Sequence, residues 1–408
     1  MGRFINPGYE AFEMSRNFDC FVDKSLLLSE LNKLVNKEKR FVCVSRPRRF
    51  GKTIMAQLIS TYYSRGCDSR AVFEGLEFGK TENFDQYLNK FNVVKIDCNN
   101  FAPNVNKTGE DSFVYQIHRV LMREFKVEFP DIDFSDCKQT SECIRKVYEE
   151  TGNKFVIIMD EYDLEVRMSQ PEPLHQDYLD FLVSLFKNDN LSPAIALAYI
   201  TGILPIVKDK FQSKLNNFRQ KTMLDSIGFE KSFGFTEEEV KSLCDRFNVD
   251  YQECKHWYQG YEIEGVSIFN PEAIVEVIDS KKFQNHWSAT GSYESVRDYV
   301  DSNFQGCRDS ILDMLSGYEV SVNLSEFKND NFKTQDDILH YLIHLGLIAY
   351  HKDKKSCYIH NLELIDEWKK KLKPRLNSNI VKAVNFWLEK EKEGKRGILK
   401  KYQNSFSL

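Results

Sequence analysis

Residues 41 to 60 read "FVCVSRPRRFGKTIMAQLIS". The opening "FVCVS" is an apolar run rich in β-branched residues and too short for a helix, the form of a buried strand. The closing "IMAQLIS", continuing into "TYY", repeats apolar residues on one helical face. Between them "RPRRFGKT" must turn the chain tightly from strand to helix. That frame aims backbone N–H groups and a helix dipole at one point, which favours an anion. The turn ends in Gly51-Lys52-Thr53, the last three positions of the phosphate-binding pattern GxxxxGK[ST], yet Arg46 stands where the pattern begins with glycine. Such a triplet arises by accident in roughly one chain of this length in five. The flanking strand and helix therefore decide the reading, more than the triplet.

In a loop of this kind the successive amides wrap phosphate oxygens, Lys52 would reach the β- and γ-phosphates, and the Thr53 hydroxyl would face Mg²⁺. Exchanging glycine for Arg46 removes the residue best able to take positive φ, at a cost on the order of 1 kcal/mol if the path were kept. A different path avoids that cost. Pro47 fixes φ near roughly −65° and pre-sets part of the turn, while Arg48 and Arg49 add charge beside a polyphosphate. The nucleotide-binding set expected is Arg46, Pro47, Arg48, Arg49, Phe50, Gly51, Lys52 and Thr53.

About a hundred residues downstream, "FVIIMDEYD" runs from Phe155 to Asp163 and has the form of a Walker B strand. A carboxylate at the strand tip, here Asp160, would hold Mg²⁺ together with Thr53. Its neighbour Glu161 would polarise the attacking water, which makes hydrolysis the expected chemistry; Asp163 is a rival for that role. The strand "AIALAYIT" ends in Thr201, placed either to sense the γ-phosphate or to satisfy backbone groups at the strand end. The expected catalytic set is Glu161, Lys52 and Thr201, and the expected metal set is Thr53 and Asp160.

Further out, apolar runs at residues 40–45, 91–98, 154–160 and 194–201 alternate with helical patterns such as "DSFVYQIHRVLMREF". This predicts a three-layer α/β domain around a buried parallel sheet over residues 1–232. Strand signals then thin out: residues 233–310 read as a helical, lid-like region. "TQDDILHYLIHLGLIAYHKDKKSCYIHN" reads as a helix and two short strands in a winged-helix-like element spanning 311–375. Residues 376–408 read as a helical or partly disordered tail, and the basic run Lys369 to Arg375 as the solvated end of a helix.

A chain of 408 residues exceeds one typical core, and 42% hydrophobic with 29% charged residues matches an ordinary globular protein. The net charge of −5 provides no global pull toward nucleic acid or anionic membrane. Ten cysteines occur without CxxC spacing, against a zinc ribbon or redox motif. The N-terminus has no apolar signal region, and no window approaches the ~20 apolar residues of a membrane span. A reducing cytoplasm is the expected location.

The strings "SRPRRFGKT", "FVDKS", "YYSRGCDSR", "IIMDEYD", "TGILPI", "GFTEEEV", "WYQGY" and "LIHLGLIAY" together resemble the bacterial AAA-like ATPase family, from the N-terminus to about residue 370. The family is a P-loop group within the additional-strand, catalytic-glutamate NTPases. The resemblance implies ATP as ligand, and "SRPRRFGK" as the family's own form of the loop. It also implies metal-binding and catalytic positions at Asp160 and Glu161. "FQSKLNNF" (211–218) is similar to a family stretch whose role physics does not assign. Many members continue into a PD-(D/E)XK nuclease-like domain. Here the tail offers only Glu393-Gly394-Lys395 in a charged run, so DNA cleavage by that route is not expected.

Two functions follow, a Mg²⁺-dependent ATPase whose hydrolysis moves the C-terminal half, and an ATP-binding switch with little turnover that engages a protein or DNA partner. A third, nucleic-acid binding by the C-terminal half, has the acidic Glu326, Asp330, Asp336 and Asp337 against it. No residue stands out as an arginine finger from a neighbouring subunit, Arg219 being no more than a guess.

Overall fold

The computed structural model describes residues 2–168, 172–206, 215–287, 293–324, 327–328 and 332–372. Five strands build the principal sheet: β1 (Phe41–Ser45), β2 (Asn92–Asp97), β3 (Phe155–Asp160), β4 (Ile195–Gly202) and β5 (Arg219–Lys221). All pairings are parallel, in the order β2-β3-β4-β1-β5. The four expected strands are these first four. β5 escaped the sequence reading because three residues at a sheet edge carry no period to detect.

Parallel strands need covered faces, and alternate side chains supply both. Phe41, Cys43, Phe155, Ile157 and Met159 point into one core, shared with Ile117, Leu121, Phe125, Ile144, Val147, Leu182 and Leu185. Those partners come from helices Phe113–Glu128, Thr140–Thr151 and Glu172–Phe186. Val42, Val44, Val156 and Ile158 point the other way, onto Met55, Leu58, Ile59 and Tyr62 of helix Lys52–Tyr63 and onto Leu27, Leu28 and Leu31. The result is the three-layer α/β architecture expected.

β4 lies between β1 and β3, and that insertion sets the geometry of the site. Val44 of β1 and Asp160 of β3 are both level with Thr201 of β4. The loop after β1 and the acidic tip of β3 therefore open at the same edge of the sheet.

Beyond residue 232 the strands are short. β6 (Phe235–Thr236), β7 (Tyr261–Ile263) and β8 (Val266–Phe269) form a small antiparallel sheet; β9 (Val320–Ser321), β10 (Ala349–His351) and β11 (Ser356–Tyr358) form another. Helix Gln335–Leu345 precedes the β10–β11 hairpin, whose turn is the "HKDKK" of the sequence. Asp337 closes a capping box with Thr334 and pairs with Lys328 at 3.1 Å, so this acidic residue serves its own helix. All ten cysteines are unpaired. Among the described residues no helix is long and apolar enough to cross a membrane. The tail from 373 onward, Glu326, Asp330 and the first four residues of "FQSKLNNF" lie outside the described residues.

The C-terminal core gathers Ile338, Leu339, Leu342, Ile343 and Trp368, and it also takes in Phe50, Ile203 and Leu204 from the α/β half. The two halves thus meet at the phosphate loop. A small cavity of about 10 Å³ lies there, bounded by Arg48, Arg49, Ala273, His286, Trp287 and Glu363.

Glu363 is 3% exposed and accepts the His286 N–H at 2.9 Å. Burial pushes its carboxyl up from 4.5 to about 7, against the pull of its backbone donors. A raised carboxyl holds its proton in the folded chain while the unfolded chain has already lost it. Its contribution is complete below the ordinary value of 4.5 and is lost as pH rises through about 7. We expect Glu363→Gln to flatten that slope and to gain roughly 2–3 kcal/mol over wild type at pH 8. Urea unfolding at pH 5, 6, 7 and 8 checks it; parallel slopes in the two proteins would refute it.

Candidate active site

Helix Lys52–Tyr63 starts from Gly51, whose φ of +83° turns the loop into the helix axis. A Cβ at Gly51 would meet nothing within 4 Å, so glycine is required by the backbone angle and the approach is open. The first helical amides have no acceptor within the helix. Arg49 also sits at positive φ, +68°, which takes over the turning task that glycine performs at the start of the usual pattern.

Arg46 is fully buried and its guanidinium leaves the loop. It donates to the carbonyls of Ser45 (2.8 Å) and Lys221 (3.1 Å) and to the Ser226 hydroxyl, and it lies over the Phe233 ring at 5.3 Å. Burial lowers its pKa to about 10, so it stays charged at neutral pH. Its backbone remains part of the loop, with its N–H on the Gly202 carbonyl at 3.1 Å. The arginine in place of glycine is thus a structural bolt between β1, β5 and the segment behind β5.

Pro47 lies against Gly346, where a Cβ would stand 2.8 Å from the proline Cγ. Phe50 is buried against Tyr261, ring centroids 5.4 Å apart, and its carbonyl accepts the Gly234 N–H at 3.2 Å. Arg49 pairs with Glu272 at 2.8 Å, a half-exposed pair worth at most about 1 kcal/mol. Arg48 is partly buried, flanked by Arg167, Glu161, Asp163 and Arg49. Of the loop arginines, Arg48 is the one whose charge faces the acidic tip.

Lys52 is 5% exposed and donates to the carbonyls of Arg46 (3.2 Å) and Pro47 (3.1 Å). Its Nζ lies 3.4 Å from Glu161 Oε1. Asp160, fully buried, accepts the Glu161 N–H on Oδ1 at 3.0 Å, while Oδ2 has no hydrogen-bond partner among the described residues. Burial pushes its carboxyl up to about 6; the Thr53 hydroxyl facing it pulls the other way. A desolvated carboxylate with an orphaned oxygen beside a threonine at a helix start is the donor set a hard cation prefers. Thr53, Asp160, Lys52 and Glu161 are therefore brought together, and they fit Mg²⁺ with a polyphosphate.

The other expected residues have other partners. Thr201 donates its hydroxyl to the Val44 carbonyl at 3.0 Å, the strand-tying role set beside γ-phosphate sensing. Asp163 accepts the N–H groups of Ile203 (3.1 Å) and Leu204 (2.9 Å) and pairs with Arg167 at 2.9 Å, which ties its carboxylate to the β4 exit. Arg219 is exposed and level with Val42, toward the sheet end away from the loop.

Sequence reasoning missed Arg167, which pairs with Glu161 Oε2 at 2.6 Å. The available signal was its spacing four residues beyond Asp163 in a stretch able to form a helical turn.

A strand, a lysine-bearing loop, a helix and an acidic strand tip across an inserted strand define a P-loop ATPase fold. The chain belongs to the AAA-ATPase-like family, described as predicted AAA-ATPase, whose model matches residues 8–212. It is 23% identical over 259 residues to an uncharacterized protein in the vnfD 5′ region of Azotobacter chroococcum mcd 1. The match takes in 61% of this chain and 47% of that one, so the chain spans about half the length of that relative. Among solved structures it is similar to the ORC2 protein of Aeropyrum pernix (TM-score 0.39, 13% identity, 93% of this chain and 94% of that). It is also similar to Cdc6p of Pyrobaculum aerophilum (TM-score 0.34, 12% identity, 90% and 94%).

Proposed function

We propose that the chain is a Mg²⁺-dependent ATP hydrolase. The loop amides from Arg48 to Thr53 and the Lys52 ammonium bind the phosphates, Thr53 and Asp160 would hold the metal, and Glu161 is the general base; the Arg46 N–H is taken by the Gly202 carbonyl and Pro47 has none to offer. The observation that carries this reading is the meeting of Lys52, Glu161 and the orphaned Asp160 oxygen at one edge of the sheet. Binding draws Lys52 off the Arg46 and Pro47 carbonyls, which frees Glu161 Oε1 to accept a proton from water as that water's oxygen bonds to the γ-phosphorus. The bond to the bridging oxygen breaks, and ADP leaves with the electron pair. Mg²⁺ in such a site supplies charge screening for the phosphates.

A second reading is a slow ATP-holding switch, favoured by the cation on each Glu161 oxygen. The contacts of Pro47, Arg49 and Phe50 with the C-terminal half support coupling of either activity to movement of that half, and through it to a protein or nucleic-acid partner. The division of the chain near residue 232 belongs to the same proposal, as does a cytoplasmic location, which the unpaired cysteines support.

The test is phosphate release from ATP. Turnover in Mg²⁺ that falls to background with a chelator is expected for the hydrolase. Tight ATP binding with no release in either condition would replace it by the switch.

A further inference from the structure

The geometry points to Arg167 as a positioning residue that selects which oxygen of Glu161 acts as base. This inference rests on the hydrolase reading and deepens it. Glu161 follows β3 at a φ of +52°, a left-handed conformation that a glutamate does not adopt without being held. The turn is pinned from below, where the Tyr162 N–H donates to the Thr201 carbonyl at 3.0 Å and the Leu164 N–H to the Glu161 carbonyl at 2.9 Å. The carboxylate is pinned from two sides, Oε1 by Lys52 at 3.4 Å and Oε2 by Arg167 at 2.6 Å.

The two cations are not equivalent. Lys52 is the group a polyphosphate takes away, because its ammonium stands at the helix start and is held besides Glu161 only by the Arg46 and Pro47 carbonyls, neutral acceptors that an anion outcompetes. Arg167 has a second anchor, since it lies on the short helix Leu164–Met168 and pairs with Asp163 at 2.9 Å. Asp163 in turn is fixed to the N–H groups of Ile203 and Leu204. The side chains of Arg167 and Asp163 are less than one-tenth exposed, so neither swings freely into solvent. A chain of contacts therefore runs from the β4 exit through Asp163 and Arg167 to Glu161 and ends at Lys52. When Lys52 turns to phosphate, only the last link opens: Oε2 stays on Arg167 and Oε1 faces the place that Lys52 has left. One guanidinium nitrogen, Nη2, donates to Glu161 Oε2 at 2.6 Å and reaches Asp163 Oδ1 at 3.4 Å, so a planar, buried group spans both carboxylates and fixes the Glu161 rotation better than a lysine ammonium would.

The experiment compares wild type, Arg167→Gln, Arg167→Lys, Glu161→Gln and the double variant Arg167→Gln/Glu161→Gln. ATP affinity and single-turnover phosphate release are measured on the full chain. A base displaced by about 1 Å loses on the order of 100-fold in rate. Arg167→Gln is therefore expected to lower the release rate roughly 10- to 100-fold with ATP affinity within about threefold of wild type, and Arg167→Lys to restore part of that rate. In the Glu161→Gln background the same change should cost nothing further, since a residue acting through Glu161 has nothing left to position. An unchanged rate in Arg167→Gln, or a full additional loss in the double variant, overturns the inference. If Arg167→Gln fails to fold, the Arg167→Lys rate carries the test: a partial loss with normal ATP affinity supports the assignment, and a loss of affinity alone overturns it. Absence of turnover in wild type would instead remove the hydrolase reading itself, a different outcome from any of these.

Discussion

Glu161→Gln is expected to release phosphate roughly 10² to 10⁴-fold more slowly than wild type, the usual worth of a general base, while still binding ATP. The substitution keeps the side chain's size and removes its charge. Lys52 then loses its anionic neighbour at 3.4 Å and keeps only the two loop carbonyls, a weaker competitor for phosphate. Affinity for ATP should therefore hold or rise as the rate falls. Equilibrium binding of a fluorescent ATP analogue, set beside single-turnover release, separates the two effects. A normal rate would assign the proton transfer elsewhere; a loss of binding with the rate per bound ATP unchanged would make Glu161 a binding residue.

Lys52→Ala should act on the other quantity. A hydrogen bond to a charged group contributes about 1.5–3 kcal/mol, so removing the ammonium is expected to weaken ATP binding roughly 10- to 150-fold. The fold should survive, because Glu161 keeps Arg167 at 2.6 Å and the alanine shortens a side chain at the loop rather than in either core. Calorimetric titration with ATP and Mg²⁺ measures the effect, and a melting curve checks the fold. ATP affinity equal to wild type would end the phosphate-loop reading altogether.

The sheet was legible because its first four strands are continuous apolar runs, the signature of strands covered on both faces. Asp160 and Thr201 could be placed at strand tips for the same reason, each being the first polar residue after such a run. What escaped was written in contacts with no local period. β5 has three residues at an edge, and the C-terminal sheets use strands of two to four. The direction of Arg46 was hidden too, since its partners Lys221 and Ser226 lie far along the chain. Read locally, an arginine in a phosphate loop is a charge for the ligand; the folded chain buries it and leaves Arg48 facing the acidic tip. The same limit applies to Phe50, an aromatic inside a polar loop, whose meaning comes from Tyr261 two hundred residues on.

Phe50 has one more consequence. Its ring belongs to one core while Val44 before it and Met55 after it serve another, so a cut at the change of architecture divides the core that holds Phe50. A fragment ending near residue 232 would leave that ring and Pro47 uncovered in the middle of the loop between β1 and its helix. For this molecule, divisibility by sequence and divisibility by stability are different things, and a first-half fragment is expected to melt below the whole chain.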